Sequence, residues 1–269
     1  MTIDFIKMNG AGNDFVLIDN RSRGIHLTPT QVTRLCHRQR GVGADGVLML
    51  IPCASGRANW AWEFYNSDGS VAEMCGNGAR CFARFVRRVT GLDREFTFET
   101  GAGVIAATFQ GERVTVNLTP PKDLRLNQAV PLQNGLTQIH SVNTGVPHAV
   151  LFVSDADAAM VQNLGAEIRR HPHFAPKGTN VNFVQILGPG SIRVRTYERG
   201  VEGETLACGT GVTASALISA VLHGYPSPVT VRVQGGDDLE VSFKKEQAGF
   251  ADVRLTGPAE FVFEGRVEV

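Results

Sequence analysis

Apolar and polar positions along the 269-residue chain change period several times, and the changes follow the same order in each half. The first half opens with a strand pattern over 3–8, a Gly-rich turn over 9–14 and a second strand over 15–19. Thr28-Pro29-Thr30-Gln31 predicts a helix start, with Thr28 as cap, proline at the first helical position and Gln31 closing a capping box. That helix is expected to run to about Arg38. Residues 41–46, Gly-Val-Gly-Ala-Asp-Gly, stop it, and 47–51 form a strand. Trp60, Trp62 and Phe64 alternate with Ala61, Glu63 and Tyr65, which is strand periodicity. Ala79, Phe82, Ala83, Val86 and Val89 recur at helical spacing, and Gly91 ends that helix. Strands near 95–99, 103–109 and 112–118 follow.

The second half repeats the plan. Strands near 138–143 and 148–153 precede a helical stretch over 155–170, which Gly165 is expected to split. Strands follow over 180–187 and 191–198, then a loop over 199–207. An apolar helix runs from Cys208 and is closed by Gly224; strands over 229–234, 239–243, 251–257 and 260–265 complete the chain. Strands, apolar helix, strands, twice over, imply an internal duplication rather than a short-period solenoid. The expected fold class is α+β. It comprises two similar domains, each a curved, mostly antiparallel sheet wrapped round a central helix. Pro120-Pro121 marks the linker. The first domain is expected over 1–119, completed by the last strand at about 259–269, and the second over 120–258.

Composition adds exclusions. Hydrophobic residues make up 43% and charged residues 19%, enough for an ordinary core without metals or disulfide staples. The formal net charge is zero, which gives no pull toward nucleic acid or an anionic membrane. Arg34, Arg38 and Arg40, and Arg84, Arg87 and Arg88, sit at helical spacings and read as solvated helix faces. No apolar run reaches the ~18 residues of a membrane span. The first residues carry acid, Gly and Asn where a signal peptide has its apolar stretch, so a cytoplasmic location is expected. Five cysteines are odd in number and lack C-x-x-C spacing, so free thiols are expected.

Several motifs invite chemistry. The glycines of 41–46 match G-x-G-x-x-G, but they follow a helix and precede a strand, the reverse of the nucleotide-binding order. They read as a turn. His171 and His173 lack a further ligand cluster and read as loop histidines; Cys36, Cys53 and Cys81 read as structural. Cys75 and Cys208 differ. Each is followed by Gly-x-Gly, and each lies just before the apolar helix of its half. A single cysteine is often only a small buried hydrophobe. Two in the same context imply more. Unpaired N–H groups and the positive dipole end of a helix favour a thiolate. Adjacent glycines let backbone amides approach an anion closely.

The chain resembles the diaminopimelate epimerase family over essentially its whole length. The carrying residues are GAGNDF (10–15), GVGADG (41–46), YNSDGS (65–70), EMCGNGARC (73–81), TGVPH (144–148), GTNVNF (178–183), YERG (197–200) and LACGTG (206–211). The resemblance implies an active site in a cleft between the two domains, and interconversion of L,L- and meso-2,6-diaminoheptanedioate without pyridoxal phosphate, other cofactor or metal. It implies Cys75 and Cys208 as the acid–base pair on opposite faces of the reacting carbon. It assigns Gly76, Asn77, Gly209 and Thr210 to the reacting carboxylate, and Asn13, Asn66, Asn180, Glu198 and Arg199 to substrate binding. His148 and Glu198 are implied to tune the thiols. It also implies a homodimer.

Two positions depart from the family pattern. Val146 stands where many members carry Asn, and Gly46 where some carry Gln, which puts one substrate hydrogen bond at each in doubt. Rival readings are proline-racemase-like enzymes, which also use two cysteines, and phenazine-type isomerases, which lack the pair. A thiol peroxidase or disulfide oxidoreductase leaves the Gly-x-Gly cradles unexplained. A binding module does not need two thiols.

Overall fold

The computed structural model describes residues 1–247 and 249–269. The chain divides into two compact units, Met1–Asn117 with Gly257–Val269, and Leu118–Thr256. In the first unit β1 (Thr2–Gly10) pairs antiparallel with β2 (Asn13–Asp19). After α1 (Pro29–Cys36), β3 (Gly46–Ile51) lies parallel to β2, and β4 (Trp60–Asn66) returns antiparallel to β3. After α2 (Gly76–Thr90), β5 (Phe96–Thr100) lies parallel to β4; β6 (Gly103–Gln110) and β7 (Arg113–Asn117) continue antiparallel.

The second unit opens with a hairpin of β8 (Lys122–Leu132) and β9 (Gly135–Asn143), and β10 (Pro147–Phe152) pairs antiparallel with β9. After α3 (Val161–Arg170), β11 (Asn180–Gly188) lies parallel to β10, and β12 (Ser191–Glu198) returns antiparallel. After β13 (Gly203–Thr205) and α4 (Gly209–Leu222), β14 (Val229–Val233) lies parallel to β12. β15 (Asp238–Glu246) and β16 (Gly249–Gly257) continue antiparallel. Finally β17 (Glu260–Glu268) pairs antiparallel with β1. From β2 to β5 the order is parallel, antiparallel, parallel. From β10 to β14 it is the same, so the duplication read from the sequence is a duplication of strand pairing.

Each sheet encloses one helix. α4 is apolar on every side and buried from Gly211 through Ala220, as a core helix must be. α2 buries Gly76 through Ala83, with Phe85 and Val86. Its Phe82 packs against Trp62 and Phe98 with ring centroids 5.5 and 4.9 Å apart. The ends follow the sequence signals. Thr28 and Gln31 form the reciprocal capping box of α1, and Gly91 closes α2 at φ 70°.

Other expectations need correction. α3 starts at Val161 rather than 155 and runs unbroken through Gly165. A Cβ built on Gly165 would stand 2.6 Å from Tyr197 Cβ. That glycine is an approach point between helix and strand, not a break. β8 was not expected at all. Asp123 and Asn127 adopt φ of 56° and 54°, and the β8–β9 register shifts twice, so alternation is lost along the strand. β13 lies inside the expected loop. The arginines are not simply solvated. Arg38 pairs with Asp14 at 2.5 Å and Asp45 at 2.8 Å, and Arg84 and Arg88 lie 5.0 and 4.7 Å from the Phe261 ring centroid.

Two stability measurements check this packing. Gly165→Ala is expected to destabilise by about 1–3 kcal/mol in urea unfolding, because overpacking against Tyr197 outweighs the helix propensity gained. A more stable variant would mean that the strand yields. The second concerns His148, which is fully buried; burial, and then the charge of Arg199, push its imidazole down from 6.5 to about 3. Between those values the unfolded chain binds a proton that the folded chain refuses. Stability therefore falls as pH drops below 6.5, by up to roughly 1.4 kcal/mol per pH unit. His148→Gln should flatten that slope, and equal slopes in both proteins would refute the assignment.

Candidate active site

Parallel pairing lines up the same strand ends in both units. In the first, Phe15 pairs with Gly46 and Gly46 with Asn66, which brings the start of β2, the start of β3 and the end of β4 to one edge. In the second, His148 pairs with Asn180 and Val181 with Tyr197, which brings the starts of β10 and β11 beside the end of β12. Asn13, Gly46 and Asn66 sit on the first edge, and His148, Asn180 and Glu198 on the second. Cys75 and Cys208 are the N-cap residues of α2 and α4, each with extended backbone (φ −145° and −119°). A polar N-cap is the rule because the first turn of a helix has N–H groups without intrahelical acceptors. Here a cysteine occupies that place twice, with a side-chain cap bond at Cys75 and none at Cys208.

Around Cys75 the donors are backbone and amide. The Gly78 N–H donates to Cys75 Sγ at 3.4 Å. Asn77, fully buried, donates from Nδ2 to Asn13 Oδ1 at 2.6 Å, and Asn13 Nδ2 donates to Asp45 Oδ2 at 2.9 Å. Arg80, also without exposed surface, donates to Asn77 Oδ1 at 3.0 Å and to the carbonyls of Gly76, Gly10 and Pro258 at 3.3, 3.5 and 3.2 Å. The first turn of α2 thus rests on a buried cation and a chain of amides. Asn66 stands apart from this set, with its Nδ2 donating to Ser70 Oγ at 3.0 Å.

Around Cys208 the partners are a hydroxyl and an imidazole. Cys208 Sγ lies 3.6 Å from Thr210 Oγ1, and Thr210 Oγ1 lies 2.9 Å from His148 Nε2. The Thr144 hydroxyl donates to the Thr210 carbonyl at 2.8 Å. Asn180 Oδ1 accepts from the Arg199 backbone N–H at 2.8 Å, so its amide orients the residue that follows β12. Arg199 is half-buried as a residue, and its guanidinium donates to the Lys177 carbonyl at 3.5 Å. Glu198 accepts from the Thr205 hydroxyl at 2.5 Å.

The remaining cysteines differ chemically. Burial pushes the Cys81 and Cys36 thiols up to about 12, so both stay protonated, as their structural reading requires. Cys53 donates to Glu99 at 3.1 Å on the surface. A side chain at Gly46 would meet the Tyr65 carbonyl oxygen at 2.6 Å, so in this chain the position is committed to packing. The His171 ring reaches the Pro131 carbonyl and His173 reaches Gln128; among the described residues no group of three or more His, Cys, Asp or Glu side chains is arranged to hold a metal ion. No helix among the described residues is long and apolar enough to cross a membrane.

Sequence reasoning passed over Arg80 and Asn182. Both lie inside quoted motifs. A charged residue on the buried side of an apolar helix, and a second Asn two places after the first on a strand, were the signals available. Asn182 is fully buried and donates to the Ala149 carbonyl at 2.9 Å.

Comparison with known proteins bears on the family and the fold. The family model for diaminopimelate epimerase matches residues 5–124 and 140–262, one stretch in each half. Diaminopimelate epimerases from Aquifex aeolicus and from Hydrogenobaculum sp. are 44% and 43% identical, over 98% and 96% of this chain and the same shares of theirs. Among solved structures, a phenazine biosynthesis protein of the PhzF family from Bacillus anthracis matches with a TM-score of 0.74 at 16% identity, covering all of both chains. A hydroxyproline epimerase from Agrobacterium vitis matches with a TM-score of 0.73 at 18% identity, over 99% of this chain and 92% of its own. These two establish the fold. The family match spanning both halves, with relatives above 40% identity along the whole chain, establishes that the chain belongs to the diaminopimelate epimerase family of isomerases.

Proposed function

We propose that the protein interconverts L,L- and meso-2,6-diaminoheptanedioate by two-base proton transfer between cysteines, with no pyridoxal phosphate or metal ion. The observation that carries the reading is the placement of Cys75 and Cys208 as N-caps of the enclosed helices at equivalent points of a repeated strand pairing. Inverting a Cα–H centre requires a base on one face and an acid on the other. A thiolate and a thiol supply both and exchange roles between directions. Cys75 donates to the L,L-substrate while Cys208 accepts from it.

Removal of the α-proton leaves negative charge on the adjoining carboxylate. The first turns of the two helices, Gly76-Asn77 and Gly209-Thr210, supply N–H donors where that charge develops. Asn13, Asn66 and Asn180 bind polar groups of the substrate, and Arg199 holds the distal carboxylate in a two-bond fork. Glu198 and His148 adjust the thiols. Because Asn13 and Asn77 bond each other, and Asn180 bonds the Arg199 backbone, their contribution includes holding the site in shape before substrate arrives. The reaction belongs to lysine and cell-wall precursor synthesis in the cytoplasm, and the working form is a homodimer.

Two experiments test this. Cys75→Ala and Cys208→Ala should each lose epimerisation by about 10²–10⁴-fold, the range of general acid–base catalysis. Each variant should still exchange the α-hydrogen of one stereoisomer in deuterated water with configuration retained, and the two should prefer different stereoisomers. Full epimerase turnover by either variant would overturn the two-base reading. Arg199→Lys should lower kcat/KM by about tenfold or more, since a point charge replaces a fork. Unchanged kinetics would return Arg199 to a surface role.

A further inference from the structure

We infer that Asn182 is a positioning residue that locks His148 in its Nε2–H tautomer and so turns the Thr210 hydroxyl proton toward the Cys208 sulfur. The inference rests on the reading of Cys208 as a proton-transfer thiol. It adds a residue and a direction of hydrogen bonding.

The orientation of Asn182 follows from its partners. Its Nδ2 lies 2.9 Å from the Ala149 carbonyl oxygen, which can only accept, so the amide nitrogen must be on that side. Its Oδ1 accepts from the Thr196 hydroxyl at 3.0 Å. The second N–H of the same amide then faces His148 Nδ1 at 3.2 Å. Nδ1 must offer a lone pair, and the ring proton must be on Nε2. Nε2–H donates to Thr210 Oγ1 at 2.9 Å. With a lone pair of that oxygen engaged, the hydroxyl proton is free to point at Cys208 Sγ, 3.6 Å away. The direction of every bond is set by the carbonyl of Ala149.

Charge does not disturb the relay. The imidazole is buried, and Arg199 is the charged group that acts on it, disfavouring a second ring proton. His148 is therefore a fixed donor and not a proton carrier. The space around the amide is equally committed. A Cβ on Gly211 would stand 2.3 Å from Asn182 Oδ1. The last glycine of Cys-Gly-Thr-Gly is thus required by the asparagine that sits against it.

The test reads the histidine and the thiol without turnover. In protein labelled with ¹⁵N-histidine, ring-nitrogen NMR should show His148 as the neutral Nε2–H tautomer at neutral pH. An imidazolium or Nδ1–H tautomer would overturn the inference. Asn182→Asp places an acceptor opposite Nδ1, moves the ring proton there, and leaves Nε2 to accept from Thr210. Alkylation of Cys208 by iodoacetamide, followed peptide by peptide, should then slow about tenfold at neutral pH, which corresponds to one pKa unit of thiolate. Cys75 should keep its wild-type rate. Thr210→Val should slow Cys208 similarly while leaving the His148 tautomer unchanged, and Asn182→Asp should add nothing in the Thr210→Val background. Wild-type alkylation of Cys208 in folded Asn182→Asp, or additive effects in the double variant, would sink the relay. Should Asn182→Asp fail to fold, the wild-type tautomer and Thr210→Val decide alone: an unaltered Cys208 rate in Thr210→Val is fatal. Failure of the single-alanine exchange experiment would instead remove the two-base reading and leave these results standing.

Discussion

A helix enclosed by a sheet must end somewhere, and its first turn carries N–H groups that cannot be left without acceptors. In both units that end falls at the strand ends, where β2, β3 and β4 or β10, β11 and β12 come level. Each unit places a cysteine N-cap followed by glycine there: the Cys75 sulfur accepts the Gly78 N–H, whereas the Cys208 sulfur faces the Thr210 hydroxyl and makes no side-chain cap bond. The cap is a weak acceptor as a thiol and a strong one as a thiolate. A helix start of this kind also favours an ionised sulfur, so the cap position suits the base that the proposed mechanism requires. An anionic substrate group placed at the same turn uses donors that the fold has already exposed.

Duplication kept the backbone and changed the side chains. At the first edge the sulfur accepts a backbone N–H, and the turn behind it is held by Asn77, Asn13 and Arg80. At the second edge the sulfur faces a hydroxyl backed by a neutral imidazole and Asn182. The proposed two-base mechanism does not need identical thiols, because each thiol acts on one face of the reacting carbon. It needs two thiols whose proton affinities are close enough to exchange roles. The pairing from β2 to β5 recurs from β10 to β14, while the side chains around the two sulfurs differ.

Much of this was legible from the chain. The two Cys-Gly-x-Gly elements, the enclosed helices, the capping box at Thr28 and the stop at Gly91 all follow from local chemistry, and local chemistry is what a sequence displays directly. The errors lie where a distant residue decides. Gly165 reads as a helix break from propensity, yet Tyr197 is what requires a glycine there. β8 has no clean alternation because two of its residues adopt left-handed backbone. Arg80 and Asn182 carried only a local hint, because the groups they bond, Gly10, Pro258, Ala149 and His148, are far away in sequence. The family resemblance supplied expected positions for substrate contacts, but it could not supply the hydrogen bonds among them.

The glycines show how far such distant packing reaches. In Cys-Gly-Asn-Gly, a Cβ on Gly78 would meet only ordinary contacts at 3.4 Å or more, so space alone does not require glycine there. Its N–H, however, is the donor to Cys75. In Cys-Gly-Thr-Gly, Gly211 has no room for a side chain because Asn182 fills it. The first half has moved the corresponding crowding to Gly10, where a Cβ would stand 2.8 Å from the Asn77 carbonyl oxygen and 2.9 Å from Cys81 Sγ. One motif spelled twice is therefore held by two different constraints. In the second half the motif glycine seats a buried amide; in the first, the glycine that ends β1 lets the strand close against the start of the helix. Similar spelling reflects the shared task of presenting N–H groups, and the differing neighbours reflect what each half places behind them.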